Sequence, residues 1–246
     1  MLSSRDGAWC VMAGEAHSEI AARLVEVRAR IGRAAARSGR HPGEITLVAV
    51  SKTVSAQVVA AAVAAGQRVF GENRVQEALA KAEACGPGIA WHLIGHLQSN
   101  KAKAAVRLFD VIESLDSTGL AVELDRRAGE EGRRLRVLVQ VKLAEEAGKS
   151  GVAHREASSL VETVARLPNL ELAGLMTIPP PPGKPEDSRP WFARLRGLRD
   201  LWDGKCCPPG TLRELSMGMS ADYETAIEEG ATIVRVGSVI FGARPR

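Results

Sequence analysis

The chain has 246 residues, 45% hydrophobic and 25% charged, enough for two small domains or for one α/β barrel, which takes about 250 residues. Its net charge of +4 comes from 33 basic against 29 acidic residues, and 25 of the basic ones are arginines scattered along the chain. With only 4% aromatic residues, that pattern argues against a nucleic-acid surface, and no apolar run approaches the ~18 residues of a membrane span.

Residues 1–16 lack the charged start and apolar core of a signal peptide and read as a loose extension, with the folded unit at 17–246. Ile20, Leu24, Val27 and Ile31 then recur at helical spacing before Gly39. The stretch 45–53, ITLVAVSKT, is a run of β-branched and apolar residues that predicts a buried strand closing on Lys52. Further predicted strands follow at 68–70, 91–94, 111–115, 137–143, 171–178, 212–217 and 232–240. Helical patterns fall between nearly all of them, among them 55–65, 156–167, 191–202 and 221–229. Eight strands alternating with helices imply parallel pairing and right-handed crossovers. The fold class expected is therefore α/β, a single-domain (β/α)8 TIM barrel. A doubly wound open sheet is the runner-up, although no GxGxxG opens the first helix.

Function in such a barrel sits at the C-terminal ends of the strands, with phosphate commonly held after strands seven and eight. Side-chain alternation puts Lys52 on the face of Val48 and Val50, over an apolar floor. Desolvation there disfavours the charged form and leaves neutral amine as a nucleophile toward a carbonyl. A lysine that merely reaches water from the strand end is the alternative. Near the C-terminus, Gly218 suits a tight turn and Ser220 the start of a short helix, while Gly237 and Ser238 add a backbone donor and a hydroxyl. Between Val234 and Val236, Arg235 points the other way, into the barrel mouth, where it needs an acceptor. A lysine on the first strand, an anion cradle on the last two and an arginine between them describe a site for pyridoxal phosphate.

The chain also resembles the pyridoxal-phosphate homeostasis proteins, the YggS/PROSC-like family related to the barrel of alanine racemase. The matching stretches are VAVSKTVS (49–55), FGENRVQE (70–77), WHLIGHLQSNK (91–101), GLMTIPP (174–180) and LSMGMSADYETAIEEGATIVRVGSVIFGAR (215–244). The resemblance implies a barrel of the alanine-racemase N-terminal type with pyridoxal 5'-phosphate as cofactor. It implies that Lys52 carries the internal aldimine, that Ser220, Gly237 and Ser238 bind the phosphate, and that Arg235 approaches the ring nitrogen. Asn73, Ser216 and His92 are implied to line the site. Lys142 departs from the pattern, standing where members often have asparagine, and no role carries over to the proline run 179–182.

An arginine, always charged and only a donor, would hold the pyridine nitrogen neutral and make a weak electron sink. The only tyrosine, Tyr223, falls at helical spacing from Ile227 and reads as packing rather than as an acid or base. The expected function is thus storage, buffering or delivery of pyridoxal phosphate, without catalytic residues. The alternatives are a weak amino-acid racemase or lyase, and a barrel for an unrelated phosphorylated metabolite. Cys10, Cys85, Cys206 and Cys207 form no CxxC pair and suggest reduced thiols in a cytoplasmic protein. The chain is expected to act as a monomer or weak dimer, with apoenzymes that require the cofactor as recipients and with neither nucleic acid nor membrane as partner. Gly148-Lys149-Ser150 lacks the upstream glycine of a phosphate-binding loop, and His92 and His96 straddle a strand end, so no metal site is expected.

Overall fold

The computed structural model describes residues 4–144 and 150–242, with side chains from residue 18 onward. Gly148 and Lys149 of the loop triplet, and the side chain of Cys10, lie outside the described residues.

Helix α1 (Ser4–Arg37) begins inside the stretch expected as a loose extension. It buries Ile20, Leu24, Val27, Ile31, Ala34 and Ala35 as one stripe, the spacing that a 3.6-residue period requires. Ser38 Oγ donates to the carbonyls of Ala34 and Ala35, and Gly39, at φ +69°, turns the chain away. The repeating units follow: β1 (Thr46–Val50), α2 (Ala56–Ala64), β2 (Val69–Glu72), α3 (Val75–Cys85), β3 (Ala90–Leu93), α4 (Ala102–Leu108), β4 (Val111–Leu115), α5 (Thr118–Glu130) and β5 (Leu135–Lys142). A two-residue strand β6 (Val152–Ala153) leads into α6 (His154–Val164), then β7 (Leu170–Met176), α7 (Arg189–Trp202), β8 (Glu214–Ser216), α8 (Tyr223–Glu228), β9 (Ile233–Val236) and α9 (Ser238–Phe241). Ser55 and Ser117 start α2 and α5 by accepting the N–H groups of Val58 and Leu120.

The named strands pair in parallel in the order β4-β3-β2-β1-β9-β8-β7-β5, and β4 pairs with β5 to close the ring. Strand β6 pairs only with the last two residues of β5, so the barrel has eight staves, as the alternation of patterns predicts. Period-two alternation divides the apolar residues into two layers. Leu47 and Ala49 of β1 and Val234 and Val236 of β9 join the layer beneath the helices. Val48, Val111, Leu138, Ala173, Met176 and Ile233 fill the barrel interior.

Among the boundaries that differ from the sequence reading, three shape the site. Strand β1 stops at Val50, two residues short of Lys52, because Val54 N–H donates to the Ser51 carbonyl at 2.9 Å and closes a turn. Strand β9 stops at Val236, since the N–H groups of Ile240 and Phe241 both turn back to the Gly237 carbonyl. Helix α8 starts at Tyr223 with Asp222 as its N-cap, which leaves Ser220 on the preceding turn.

Candidate functional site

A cavity of about 700 Å³ opens at the C-terminal ends of the strands, where a barrel gathers the loops that carry chemistry. Val50 and Lys52 line it from the end of β1, Asn73 from beyond β2, and Gly95 and His96 from beyond β3. Gln140 comes from β5, and Ile178, Pro181 and Pro182 follow β7. Met219, Ser220 and Ala221 follow β8, and Arg235, Gly237 and Ser238 come from β9 and the residues after it. Strands β1 and β9 are hydrogen-bonded neighbours, so Lys52 stands beside the Gly237–Ser238 segment.

Lys52 is half-buried and occupies the second position of the Ser51–Val54 turn. The third position, Thr53, has φ +64°. A positive φ there is what a type II turn demands and what glycine or asparagine usually supplies. For a β-branched residue it is a strained conformation, which persists where the surroundings over-determine it.

Arg235 is 3% exposed, inside the barrel at the cavity floor. Its Nη2 donates to the Thr177 carbonyl at 2.8 Å and its Nη1 to Ser216 Oγ. Ser216 Oγ in turn donates a hydrogen bond to Glu113 Oε2 at 2.5 Å, and His92 Nδ1 lies 2.7 Å from Glu113 Oε1. Burial alone would raise the Glu113 carboxyl. The hydrogen bond and charge of His92, the nearby Arg235 and the Ser216 hydroxyl outweigh it and hold the group below the usual carboxylate range. Burial in turn lowers the Arg235 guanidinium from its ordinary value, against the opposing pull of Glu113 and Asp222. An ionised Glu113 accepts only, so His92 Nδ1 carries the proton between them.

The turn after β8 is held from below. Asp222, 2% exposed, accepts the Met219 N–H at 2.7 Å and the Ser188 hydroxyl at 2.6 Å, which ties the turn to the start of α7. Gly218 sits at φ +88° with a Cβ position only 2.5 Å from the Ala226 side chain, a place only glycine fills without strain. Ser220 Oγ accepts the Gly237 N–H at 3.2 Å and so joins the β8 and β9 ends into one polar rim. On the far side, a Cβ at Gly95 would lie 2.5 Å from the Asn73 carbonyl oxygen. This close approach fixes the Asn73 backbone beside the cavity.

Of the residues singled out in the sequence, Lys52, Asn73, Ser220, Arg235, Gly237 and Ser238 share this cavity. His92 and Ser216 do not line it; they lie beneath, buried, and act on Arg235 through Glu113 and the Ser216 hydroxyl. Glu113 was not legible as a partner, because an acid in the middle of VIESL is recognisable only once Arg235 faces it across the barrel. Gln140, whose amide donates to the Ser150 carbonyl at 3.0 Å, and His96, 3.1 Å from Asp116, also border the cavity unannounced, as does the proline run. Tyr223 packs under α1 with its ring 5.2 Å from the Arg30 guanidinium. Burial raises its hydroxyl above the ordinary value, and it is not a cavity residue. Among the described residues no group of three or more metal-ligating side chains occurs, and no helix is long and apolar enough to cross a membrane.

Residues 23–245 match the family described as alanine racemase, N-terminal domain. A pyridoxal phosphate homeostasis protein of Aquifex aeolicus is 44% identical over 223 residues, covering 90% of this chain and 97% of its own. The structure of PipY from Synechococcus elongatus PCC7942 with PLP bound superposes with a TM-score of 0.81 at 40% identity, covering 91% of this chain and all of PipY. An alanine racemase of Clostridium difficile shares the fold at a TM-score of 0.73 and 15% identity, over 93% of this chain and 58% of its own. The single barrel, the arginine-floored cavity and these similarities place the chain in the pyridoxal phosphate homeostasis protein family, within the alanine racemase N-terminal-domain barrels.

Proposed function

We propose that this protein binds pyridoxal 5'-phosphate reversibly on Lys52 and serves the cell as a store and donor of the cofactor. The observation that carries the reading is one cavity that joins an amine, a polar rim of hydroxyls and backbone N–H groups, and a buried cation. That donor set fits a phosphorylated pyridine aldehyde. When bound, the cofactor supplies an aldehyde for condensation with an amine and a phosphate ester for anchoring.

Lys52 would supply the amine that holds the aldehyde. Ser220, Gly237 and Ser238 would supply the donors for the phosphate, and Asn73, just after β2, would line the ring's side of the cavity. Arg235 offers hydrogen bonds but no proton, since a guanidinium stays charged. His92 and Ser216 hold that arginine rather than touch the ligand. Tyr223, buried against Arg30, offers no second acid or base to the cavity, which favours holding over turnover. We read residues 17–246 as the unit that holds the cofactor. We place its work in the cytoplasm, as a monomer or weak dimer, with apoenzymes that need the cofactor as recipients; the free thiols of Cys85, Cys206 and Cys207 suit that compartment.

Mixing the protein with pyridoxal phosphate is expected to produce a visible absorption band that borohydride bleaches, with the label mapping to Lys52. Lys52→Ala should show neither. A band that survives in Lys52→Ala refutes the attachment point. Exchange of the Cα proton of alanine or serine in deuterium oxide at turnover-like rates would replace storage with catalysis.

A further inference from the structure

We propose that Glu72 and Lys81, neither of which borders the cavity, are positioning residues for the Lys52 amine, and that Glu77 completes their grip. The inference rests on the reading of Lys52 as the attachment point. Alternation that sends Val50 and Lys52 into the cavity sends Ser51 outward, toward α3. There the Ser51 hydroxyl donates to Glu72 Oε1 at 2.6 Å. Lys81, from α3, donates to the same oxygen and to the Ser51 carbonyl, both at 2.6 Å. Glu77, one turn earlier on α3, accepts the Thr53 N–H at 3.3 Å. One helix therefore holds the residue before Lys52 and the residue after it.

Two features separate this arrangement from ordinary core packing. The side chains of Lys81 and Glu72 are 8% and 0% exposed, and burying such a pair yields little or no net stability compared with an apolar pair of the same size. Glu72 Oε2 is in addition buried without a hydrogen-bond partner, an unfavourable feature that a design for stability alone would remove. What the ionic pair provides that an apolar pair cannot is a cation aimed at the Ser51 carbonyl. The same clamp explains how Thr53 keeps φ +64°, since a strained residue holds only where its neighbours leave it no alternative. With its backbone fixed on both sides, Lys52 presents its amine from one place, and the approach to an aldehyde loses fewer degrees of freedom.

The test separates bond formation from binding. Stopped-flow mixing with pyridoxal phosphate reads the rate at which the visible band appears. Equilibrium titration with pyridoxine 5'-phosphate, which has the ring and phosphate but no aldehyde, reads the cavity alone. Lys81→Met is expected to slow the band about tenfold to a hundredfold and to leave the affinity for pyridoxine 5'-phosphate within about twofold. Glu77→Ala, at a half-exposed position on α3, removes the acceptor of the Thr53 N–H and should slow it in the same sense by a smaller factor; it decides the matter if Lys81→Met does not fold. Wild-type rates in the folded variants overturn the proposal, as does an equal loss of band formation and analogue affinity. Absence of the band in the wild-type protein refutes instead the reading of Lys52.

Discussion

Arg235 and Glu113, from staves on different sides of the barrel, meet at 3.8 Å with the Ser216 hydroxyl bridging them. Neither is more than 3% exposed. Removing one partner strands the other as an uncompensated buried charge, so Glu113→Gln is expected to cost about 3–5 kcal/mol at neutral pH. The carboxyl is held below its usual range, and an unfolded glutamate titrates near ~4.3. Its contribution is therefore complete above that pH and is lost as the pH falls toward the lower folded value. Urea titrations at stepped pH should show the gap between wild type and Glu113→Gln widest near neutrality and closing in acid; a gap independent of pH would contradict it.

Thr53 carries a left-handed backbone that a β-branched residue resists. Thr53→Gly should relieve this and, net of the added freedom of the unfolded chain, stabilise the protein by about 0.5–1 kcal/mol. Thermal or urea unfolding of the apoprotein measures it, and a loss of stability would mean that the threonine side chain contributes more than its strain costs.

Gly95→Ala brings a methyl to 2.5 Å from the Asn73 carbonyl and 2.7 Å from its Cα, both backbone atoms that cannot swing aside. The expected cost is about 1–3 kcal/mol, together with weaker retention of pyridoxal phosphate as Asn73 is displaced. A variant with wild-type stability and retention would show that the two loops part freely.

Ser220 joins the two ends of the polar rim through the Gly237 N–H. Loss of a hydroxyl that serves a charged group costs about 1.5–3 kcal/mol, so Ser220→Ala should release the cofactor about tenfold to a hundredfold more readily on dialysis while the visible band still forms. Unchanged retention would remove Ser220 from the phosphate cradle.

Much of the barrel was legible because each stave carries its own signal: VLVQV reads as a buried strand without reference to anything else in the chain. The inward turn of Arg235 was legible for the same reason, since the valines on either side of it belong under the helices. What escaped was anything that depends on two distant segments meeting. Glu113 pairs with Ser216, a hundred and three positions away, and Lys81 reaches back to Ser51 across thirty; neither partner marks the other in sequence. The end of the lysine strand was misplaced because VAVSKT keeps its strand-like composition past Val50, while the turn is set by a backbone hydrogen bond and a positive φ that threonine does not announce. The resemblance implies that His92 and Ser216 line the site; in the structure both are buried and neither borders the cavity.

The interior beneath Arg235 is packed by Val48, Val111, Leu138, Ala173, Met176 and Ile233, and this plug makes the cavity a dead end. Whatever occupies it enters and leaves at the C-terminal ends of the strands, where Ile178, Pro181 and Pro182 help to line the cavity. Loading and release of the cofactor then share that one open face of the barrel.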